Sequence, residues 1–194
     1  VHSVGQVCGD LNPNNIAVDA KNGQITLLDT DSFHITDINT NSVYRCEVGM
    51  PEYISPEIQI KLKNSGGLDL KSISLSTFTR ESDLFALAVH IFALLMNGCH
   101  PFACAADTNP SVANIQQLSY GATSTVVPQP MENICNGVSV FLKPMQGLTI
   151  PMYAPSFSSL PSEIQKLFRQ AFEVGFKNPQ NRPNAEEWYR ALDN

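Results

Sequence analysis

The stretch VCGDLNPNNIAVD, residues 7–19, joins a turn-rich loop to the start of an apolar run. Within it, Asp10 and Asn15 lie five positions apart, and Pro13 stiffens the backbone between them. Asn, Pro, Gly and Asp are also the ordinary residues of turns, so the stretch alone predicts a rigid loop that enters a strand. A carboxylate and a carboxamide on one such loop would also suit a metal-bound phosphate, and the residues that follow decide between these interpretations.

A short β-hairpin is predicted directly after this loop. Residues 16–18 and 25–28 are apolar runs of strand length, and Asn22-Gly23 between them is the strongest short-range hairpin signal. The second run leads straight into Asp29, which the hairpin would return to a place beside Asn15.

Asp10, Asn15 and Asp29 suit the chemistry of phosphoryl transfer. Transfer from ATP needs a carboxylate that orients the attacking hydroxyl, and oxygen ligands that hold magnesium against the phosphates. The D-x-x-x-x-N spacing recurs by chance in most proteins. The hypothesis of a phosphotransfer site is more specific than this spacing alone, because it also requires the hairpin and Asp29 at its end.

Composition and charge restrict the class of protein. The 194 residues are enough for one domain with a hydrophobic core, and 43% hydrophobic with 15% charged residues indicates a globular chain. The net charge of -6 argues against a non-specific nucleic-acid surface, which needs a basic excess. The five cysteines show no metal-ligand spacing and indicate free thiols of a reducing, cytoplasmic compartment.

Neither a secretory leader nor a membrane span is predicted. The first ten residues have no basic start and no apolar segment. The longest apolar run, residues 85–96, has about twelve residues, whereas a membrane helix needs roughly twenty. We interpret residues 83–97 as the most buried helix of a soluble protein, with His90 as a core histidine that has a hydrogen-bonding partner.

The chain after about residue 80 is predicted to be mainly helical. Residues 162–176 carry apolar side chains on one helical face. Residues 184–192 begin with a near capping box and are predicted to bury Trp188 and Leu192. A further short helix is expected near residues 111–118.

The sequence resembles the C-terminal lobe of protein kinases. GDLNPNNI (9–16) is similar to the catalytic loop of that family, LLDTDSF (27–33) to its metal-binding segment and GMPEYISPEI (49–58) to the end of its activation segment. ESDLFALAVHIFALLMNGCHPF (81–102) is similar to the central buried helix, and NRPNAEEW (181–188) to the last helices. The motifs occur in the family's order along nearly the whole chain.

The resemblance implies a mainly α fold of the α+β class, with a helical bundle and a small β-hairpin at the mouth of the active site. Residues 1–194 would form one protein-kinase-like C-lobe, in which residues 1–57 hold the catalytic loop, the metal-binding segment and the activation segment. Residues 58–82 would be an insertion, flexible around KNSGGLDLKS (63–72), and residues 83–194 a helical subdomain. The sequence has no glycine-rich phosphate loop and no strand with a phosphate-binding lysine, so the N-terminal lobe is expected to be absent from it.

More narrowly, the motifs resemble bacterial kinase-like proteins that are often linked to helix-hairpin-helix DNA-binding regions. This resemblance implies ATP with Mg²⁺ as the cofactor and a protein as the substrate. It also implies two partners, a protein with a von Willebrand-type domain and a metal-dependent protein phosphatase. We expect neither direct nucleic-acid binding nor membrane binding by this lobe.

Candidate catalytic and metal-binding residues follow from the resemblance, position by position. Asp10 would be the catalytic base, and Asn15 and Asp29 would be the magnesium ligands. Asn12 stands where a lysine commonly neutralises the transferred phosphate, so part of the transition-state stabilisation would be missing. Asp31 stands where the family often has glycine, and a register in which Asp31 is the metal-binding acid stays open.

Three further residues have structural roles by the same resemblance. Glu57 would pair with Arg182 and hold the activation segment, and the alternative is an unpaired surface position for each. Asp83 would accept backbone N–H groups of the catalytic loop, and the alternative is a simple helix cap.

Cys8-Gly9 stands where many kinases have His-Arg. Without that arginine, a phosphate on the activation segment would lack its usual pairing cation. The hydroxyl residues of this segment are therefore weak candidates for switch phosphorylation: Thr36, Thr40, Ser42 and Tyr44.

The sequence favours a protein serine/threonine kinase-like phosphotransferase, which moves the ATP γ-phosphate to a protein hydroxyl. A pseudokinase or scaffold is the alternative, because cations are missing at two positions. A small-molecule kinase of the aminoglycoside phosphotransferase type shares G-D-x-x-P-x-N, although Pro56, Glu57 and Arg182 favour the protein-kinase branch. An isolated C-lobe would bind ATP poorly, because adenine is held between the two lobes.

Overall fold

The computed structural model describes residues 1–66, 69–72, 78–107 and 127–193. These residues form a mainly helical fold with small antiparallel hairpins, which agrees with the α+β class expected from the sequence. The short helix expected near residues 111–118 lies outside the described residues.

Short antiparallel strand pairs accompany the helices. The strands pair as β1 (Ile16–Val18) with β2 (Ile25–Leu27), β3 (Ile35–Thr36) with β4 (Val43–Tyr44), and β5 (Ala105–Ala106) with β6 (Leu148–Thr149). The pairing of β1 with β2 confirms the predicted hairpin. Its loop contains Gly23 at φ 71°, a left-handed conformation that glycine adopts without strain. The pairing of β5 with β6 is not apparent in the sequence, because two-residue strands show no readable alternation.

The helices carry most of the fold. Their bounds are α1 (Pro56–Asn64), α2 (Arg80–Leu95), α3 (Pro130–Asn136), α4 (Ser162–Arg169), α5 (Gly175–Lys177) and α6 (Ala185–Asp193). A π-helical turn (Gln170–Val174) connects α4 to α5, so the predicted helix over residues 162–176 is present with a local widening.

α2 lies at the centre of the main hydrophobic core. Phe85, Val89 and Phe92 are buried along it, and the centroid of the Phe92 ring is 5.0 Å from that of Phe168 in α4. The Phe168 ring in turn lies 4.8 Å from the Trp188 ring of α6. Burial of each large apolar side chain contributes about 1.5–3 kcal/mol, so these contacts fasten α4 and α6 to α2.

The bounds and burial of α2 differ from those predicted for residues 83–97. The helix begins at Arg80, and Thr79 before it forms a capping box with Ser82 in the first turn. Its last turn is not buried, because Leu94 is 84% exposed and Leu95 is 37% exposed. Met96, the residue after the helix, is fully buried, so neighbours cover this end on one side only. The prediction of burial all round the helix is wrong in this turn.

The start of α6 confirms the predicted capping box. The Glu187 N–H donates to Asn184 Oδ1 at 3.0 Å, and the Asn184 N–H donates to Glu187 Oε2 at 2.8 Å. Trp188 is buried as predicted, whereas Leu192 is 49% exposed. Leu192 lies one turn beyond Trp188, where α6 has passed the edge of the main core, so its predicted burial is wrong.

A second, smaller core lies around α1, with side chains from the segments before and after it. Its buried residues are Cys46, Ile54, Ile58, Leu70 and Phe78. Three of these residues belong to the segment 58–82, which the sequence suggests as an insertion. The described part of this segment includes helical residues and core side chains. The insertion over residues 58–82 stays a prediction.

Burial disfavours protonation of His90 and His100. His90 forms the predicted hydrogen bond, with its Nε2 at 3.1 Å from the Leu11 carbonyl oxygen, and its pKa is lowered by burial. The Nδ1 of His100 accepts from the Phe102 N–H at 3.2 Å, and its Nε2 donates to the Glu52 carbonyl at 3.0 Å. Burial lowers the pKa of His100 to about 4.

The protein is therefore expected to lose stability as the pH falls from about 6.5 to about 4, because the unfolded chain binds a proton at His100 in this range and the folded chain does not. The lowered pKa of His90 acts in the same direction. Urea unfolding at pH 7 and pH 5 measures the loss. In His100→Asn the loss should be smaller by about 1 kcal/mol. Equal losses in the variant and the wild type would contradict this account.

Candidate active site

The loop from Asp10 to Asn15 is held by its own polar side chains. Pro13–Asn15 form a turn of 3₁₀-helix, and Asn12 caps it by accepting the Asn14 N–H on its Oδ1 at 2.9 Å. The Asn15 Nδ2 donates to the Asp10 carbonyl at 2.9 Å. These bonds, together with the fixed φ of proline, give the loop one backbone conformation.

The carboxylate of Asp10 accepts hydrogen bonds from two segments of the chain. Oδ1 accepts from Asn12 Nδ2 at 2.8 Å and from the backbone N–H of Met50 at 3.1 Å. Oδ2 lies 3.3 Å from Asn15 Nδ2. The structure therefore brings Asp10, Asn12 and Asn15 together, and it adds Met50, which sequence reasoning missed because a backbone amide carries no residue-specific signal.

The β1–β2 hairpin places Asp29 next to Asn15. The Leu28 N–H donates to the Asn15 carbonyl at 2.8 Å, so the chain reaches Asp29 directly beside the loop. Asp29 has φ 53°, a left-handed conformation that is uncommon for residues other than glycine. The Ser32 hydroxyl holds this turn by donating to the Asp29 carbonyl at 2.7 Å.

Negative charge is concentrated around Asp29. Its pKa is raised by a hydrogen bond shared with Asp31, then by the charge of Asp31, and to a smaller extent by the charge of Asp10. Within the described ranges, no group of three or more His, Cys, Asp or Glu side chains is arranged to hold a metal ion. Mg²⁺ is usually held by one or two carboxylates, with waters and phosphate oxygens as the remaining ligands.

The residues present fit a hard divalent cation. The Asn15 amide nitrogen faces Asp10, so its carbonyl oxygen lies on the other side of the amide group and is directed away from Asp10. Carboxylate and amide oxygens are the ligands that Mg²⁺ prefers in proteins. A cation beside Asp29 would also relieve the repulsion from Asp31 that raises its pKa.

Asp83 anchors the loop that carries Asp10. Its Oδ2 accepts the Cys8 N–H at 2.8 Å and lies 2.8 Å from His2 Nε2, and its Oδ1 accepts the Gly9 N–H at 2.9 Å. Asp83 is 2% exposed. The cap of α2 is Thr79, so the structure places Asp83 as a loop anchor and not as a helix cap.

Glu57 and Arg182 form a bidentate ion pair across 125 positions of sequence. Arg182 Nη1 and Nη2 each donate to one Glu57 carboxylate oxygen at 2.7 Å, and Nη1 also donates to the Glu81 carbonyl at 2.8 Å. Burial opposes ionisation of Glu57, but the hydrogen bonds and charge of Arg182 outweigh it and lower the Glu57 pKa. Gly175 makes room for the arginine, because a Cβ there would lie 2.5 Å from Arg182 Cγ.

Gly9 packs closely against Cys46. It has φ 80°, and a Cβ at this position would lie 2.7 Å from both Cβ and Sγ of Cys46. A larger side chain here would force Cys46 to shift and would also strain the backbone. Cys46 therefore occupies the space beside the loop that carries Asp10.

Comparison with known proteins relates the chain to protein kinases. No family model matches it. Over its whole length, in an alignment of 198 residues, it is 31% identical to the protein kinase YegI of Escherichia coli strain K12. Over 104 residues, 53% of the chain, it is 34% identical to the Rho-associated protein kinase let-502 of Caenorhabditis briggsae and 33% identical to Rho-associated protein kinase 1 of Homo sapiens.

The match to YegI along the whole of this chain supports a kinase-like relation. The aligned part is 26% of YegI, and it is 8% and 7% of the two Rho-associated kinases. The chain thus spans about a quarter of the length of YegI, although the alignment covers the whole of the chain. In the part of the chain that the structure describes, no helix has the length and apolar character needed to cross a membrane.

Proposed function

We propose that this chain carries the catalytic residues of a protein serine/threonine phosphotransferase and has the fold of a kinase C-terminal lobe. The proposal rests on the position of the Asp10 carboxylate. Its Oδ1 accepts hydrogen bonds from Asn12 and Met50, and the side chains of Asn15 and Asp29, which carry oxygen atoms able to bind a metal, lie nearby. The homology to YegI supports the same class of reaction.

The proposed roles of the residues follow from their hydrogen bonds. Asp10 Oδ1 accepts two hydrogen bonds, whereas Oδ2, among the described residues, accepts only the longer bond from Asn15 Nδ2 at 3.3 Å. Oδ2 is therefore the oxygen that orients an incoming hydroxyl and takes its proton. Asn15 and Asp29 bind magnesium through their side-chain oxygens. When bound, Mg-ATP supplies the γ-phosphoryl group, and the substrate is a hydroxyl of a protein. The two partners and the cytoplasmic setting expected from the sequence belong to this proposal.

One observation favours the pseudokinase alternative. Asn12 is 4% exposed, and both ends of its side chain are used within the loop, by Asp10 and by Asn14. It therefore presents no group to a phosphate in the cleft, and no cation stands at this position. Slow phosphotransfer is the expected consequence if the site is active.

Asp29→Asn is expected to weaken magnesium-dependent ATP binding by about 10-fold or more, because it removes a charged metal ligand. The measurement is calorimetric titration of the full-length protein with Mg-ATP. Asp31→Asn is the matched control, since it makes the same chemical change two positions away. If the control weakens binding and Asp29→Asn does not, Asp31 is the metal-binding acid. If wild-type full-length protein binds no Mg-ATP, the kinase proposal fails and the scaffold takes its place.

A further inference from the structure

Cys46 is buried against the loop that carries Asp10. Its side chain is fully buried in the second core, and its Sγ donates to the Val48 carbonyl at 3.1 Å. Burial raises the pKa of this thiol to about 11, so it is a neutral packing group at physiological pH. Its contact with Gly9 lies directly before Asp10 in the chain.

Gly49 fastens the other end of the same short segment. A Cβ at Gly49 would lie 2.9 Å from Ile54 Cδ1 and 3.5 Å from Leu70 Cδ1, so the backbone packs tightly on the second core. The next residue is Met50, whose N–H donates to Asp10 Oδ1. Residues 46–50 thus meet the catalytic loop twice, through a packing contact at Cys46 and a hydrogen bond at Met50.

We propose that Cys46 is a positioning residue for phosphotransfer: its packing on Gly9 holds the Met50 amide on Asp10 Oδ1 and so keeps Oδ2 directed at the reacting hydroxyl. The inference rests on the proposed function, and it adds a residue that does not touch the reacting atoms. A second consequence is that the activation segment is held at this place without a phosphate. The apolar contact between Cys46 and Gly9 lies where an ion pair between an arginine and a phosphate would otherwise hold the segment.

Cys46→Ala in the full-length protein tests this role, with Cys99→Ala as the matched control. Both cysteines are fully buried, but Cys99 belongs to the main core around α2. The two substitutions remove the same atoms, so their general effect on stability should be similar. In Cys46→Ala, kcat should fall about 10- to 100-fold, because a small displacement of the base is costly. The KM values for Mg-ATP and for a protein substrate should stay within about twofold, and Cys99→Ala should leave kcat unchanged.

Hydrogen–deuterium exchange of the peptide that contains Met50 gives a readout independent of activity. Exchange should become about tenfold faster in Cys46→Ala and stay unchanged in Cys99→Ala, because only the first loosens the Met50 bond. Cys46→Ser, whose hydroxyl retains a donor for the Val48 carbonyl, should recover part of both kcat and protection. Gly49→Ala should reproduce the effects of Cys46→Ala, because it disturbs the other end of the segment 46–50. If Cys46→Ala does not fold, Gly49→Ala replaces it as the test variant.

Two results would overturn the inference. Unchanged exchange at Met50 in both Cys46→Ala and Gly49→Ala would show that Cys46 packing does not place this amide, whatever the activity. Faster exchange with an unchanged kcat would show that the amide has no positioning role. Absence of phosphotransfer in the wild type, with exchange still dependent on Cys46, would instead contradict the proposed function.

Discussion

Asp10→Asn is expected to lower phosphotransfer by the full-length protein about 100- to 10,000-fold while leaving Mg-ATP binding nearly intact. A base acts on the reacting hydroxyl and contributes little to nucleotide binding. The substitution also keeps the size of the side chain, so the contacts with Asn12 and Met50 change without a cavity. Radiolabelled transfer to a generic protein substrate measures the loss, and calorimetric titration with Mg-ATP measures binding.

Asp19→Asn is the matched control for this experiment. Asp19 lies in the β1–β2 loop, where its Oδ1 accepts the Lys21 N–H at 2.9 Å and the residue is exposed. The same chemical change there should leave transfer unaffected. Transfer by Asp10→Asn at a rate similar to that of the control would contradict the role of Asp10 as the base. Loss of nucleotide binding together with transfer would show that Asp10 acts on the nucleotide instead.

Arg182→Ala is expected to lower the free energy of unfolding by about 3–5 kcal/mol. The Arg182 side chain is fully buried and Glu57 is largely buried, so the variant leaves a carboxylate without its cation in a poorly solvated place. It also removes the donor to the Glu81 carbonyl and the packing of the guanidinium over the Phe85 ring, 5.3 Å from its centroid. Urea unfolding followed by circular dichroism gives the value.

Arg190→Ala supplies the comparison for an exposed pair. Arg190 Nε lies 3.0 Å from Glu186 Oε1, and the two side chains are 73% and 62% exposed. Pairs of this kind contribute about 0–1 kcal/mol, since water already solvates both charges. If Arg182→Ala costs no more than Arg190→Ala, the buried pair does not hold α1 against the main core. The cost at Arg182 should also decrease at acid pH, because Glu57, whose pKa is lowered in the fold, is then protonated.

Several local features could be predicted from the sequence because neighbouring residues determine them. The β1–β2 hairpin follows from two apolar runs around a turn, and the start of α6 follows from Asn184 and Glu187. The loop with Asp10 and Asn15 also belongs to this class, since its bonds join residues within five positions of each other. Short-range hydrogen bonds and fixed backbone angles need no information from distant parts of the chain.

Burial was predicted less well where the sequence is apolar but the neighbours are missing. Leu94 and Leu192 continue apolar patterns, yet each lies beyond the edge of the main core and is exposed. Leu70 shows the reverse, since it lies in a polar stretch and is buried in the second core. A pattern indicates which face of a helix prefers to be buried, but the packed elements decide whether anything covers it.

The sequence by itself determined the residue types of the candidate site, the turn that carries Asp10, and the hairpin that returns Asp29. Only the tertiary structure decided that the Met50 amide bonds to Asp10 and that Cys46 fills the space over Gly9. These contacts join segments about 40 positions apart, and they depend on a backbone N–H and on the absence of a side chain. Neither feature can be recognised from the residue type. Every non-proline residue carries the same backbone amide, and a glycine in the sequence does not reveal which side chain will pack against it.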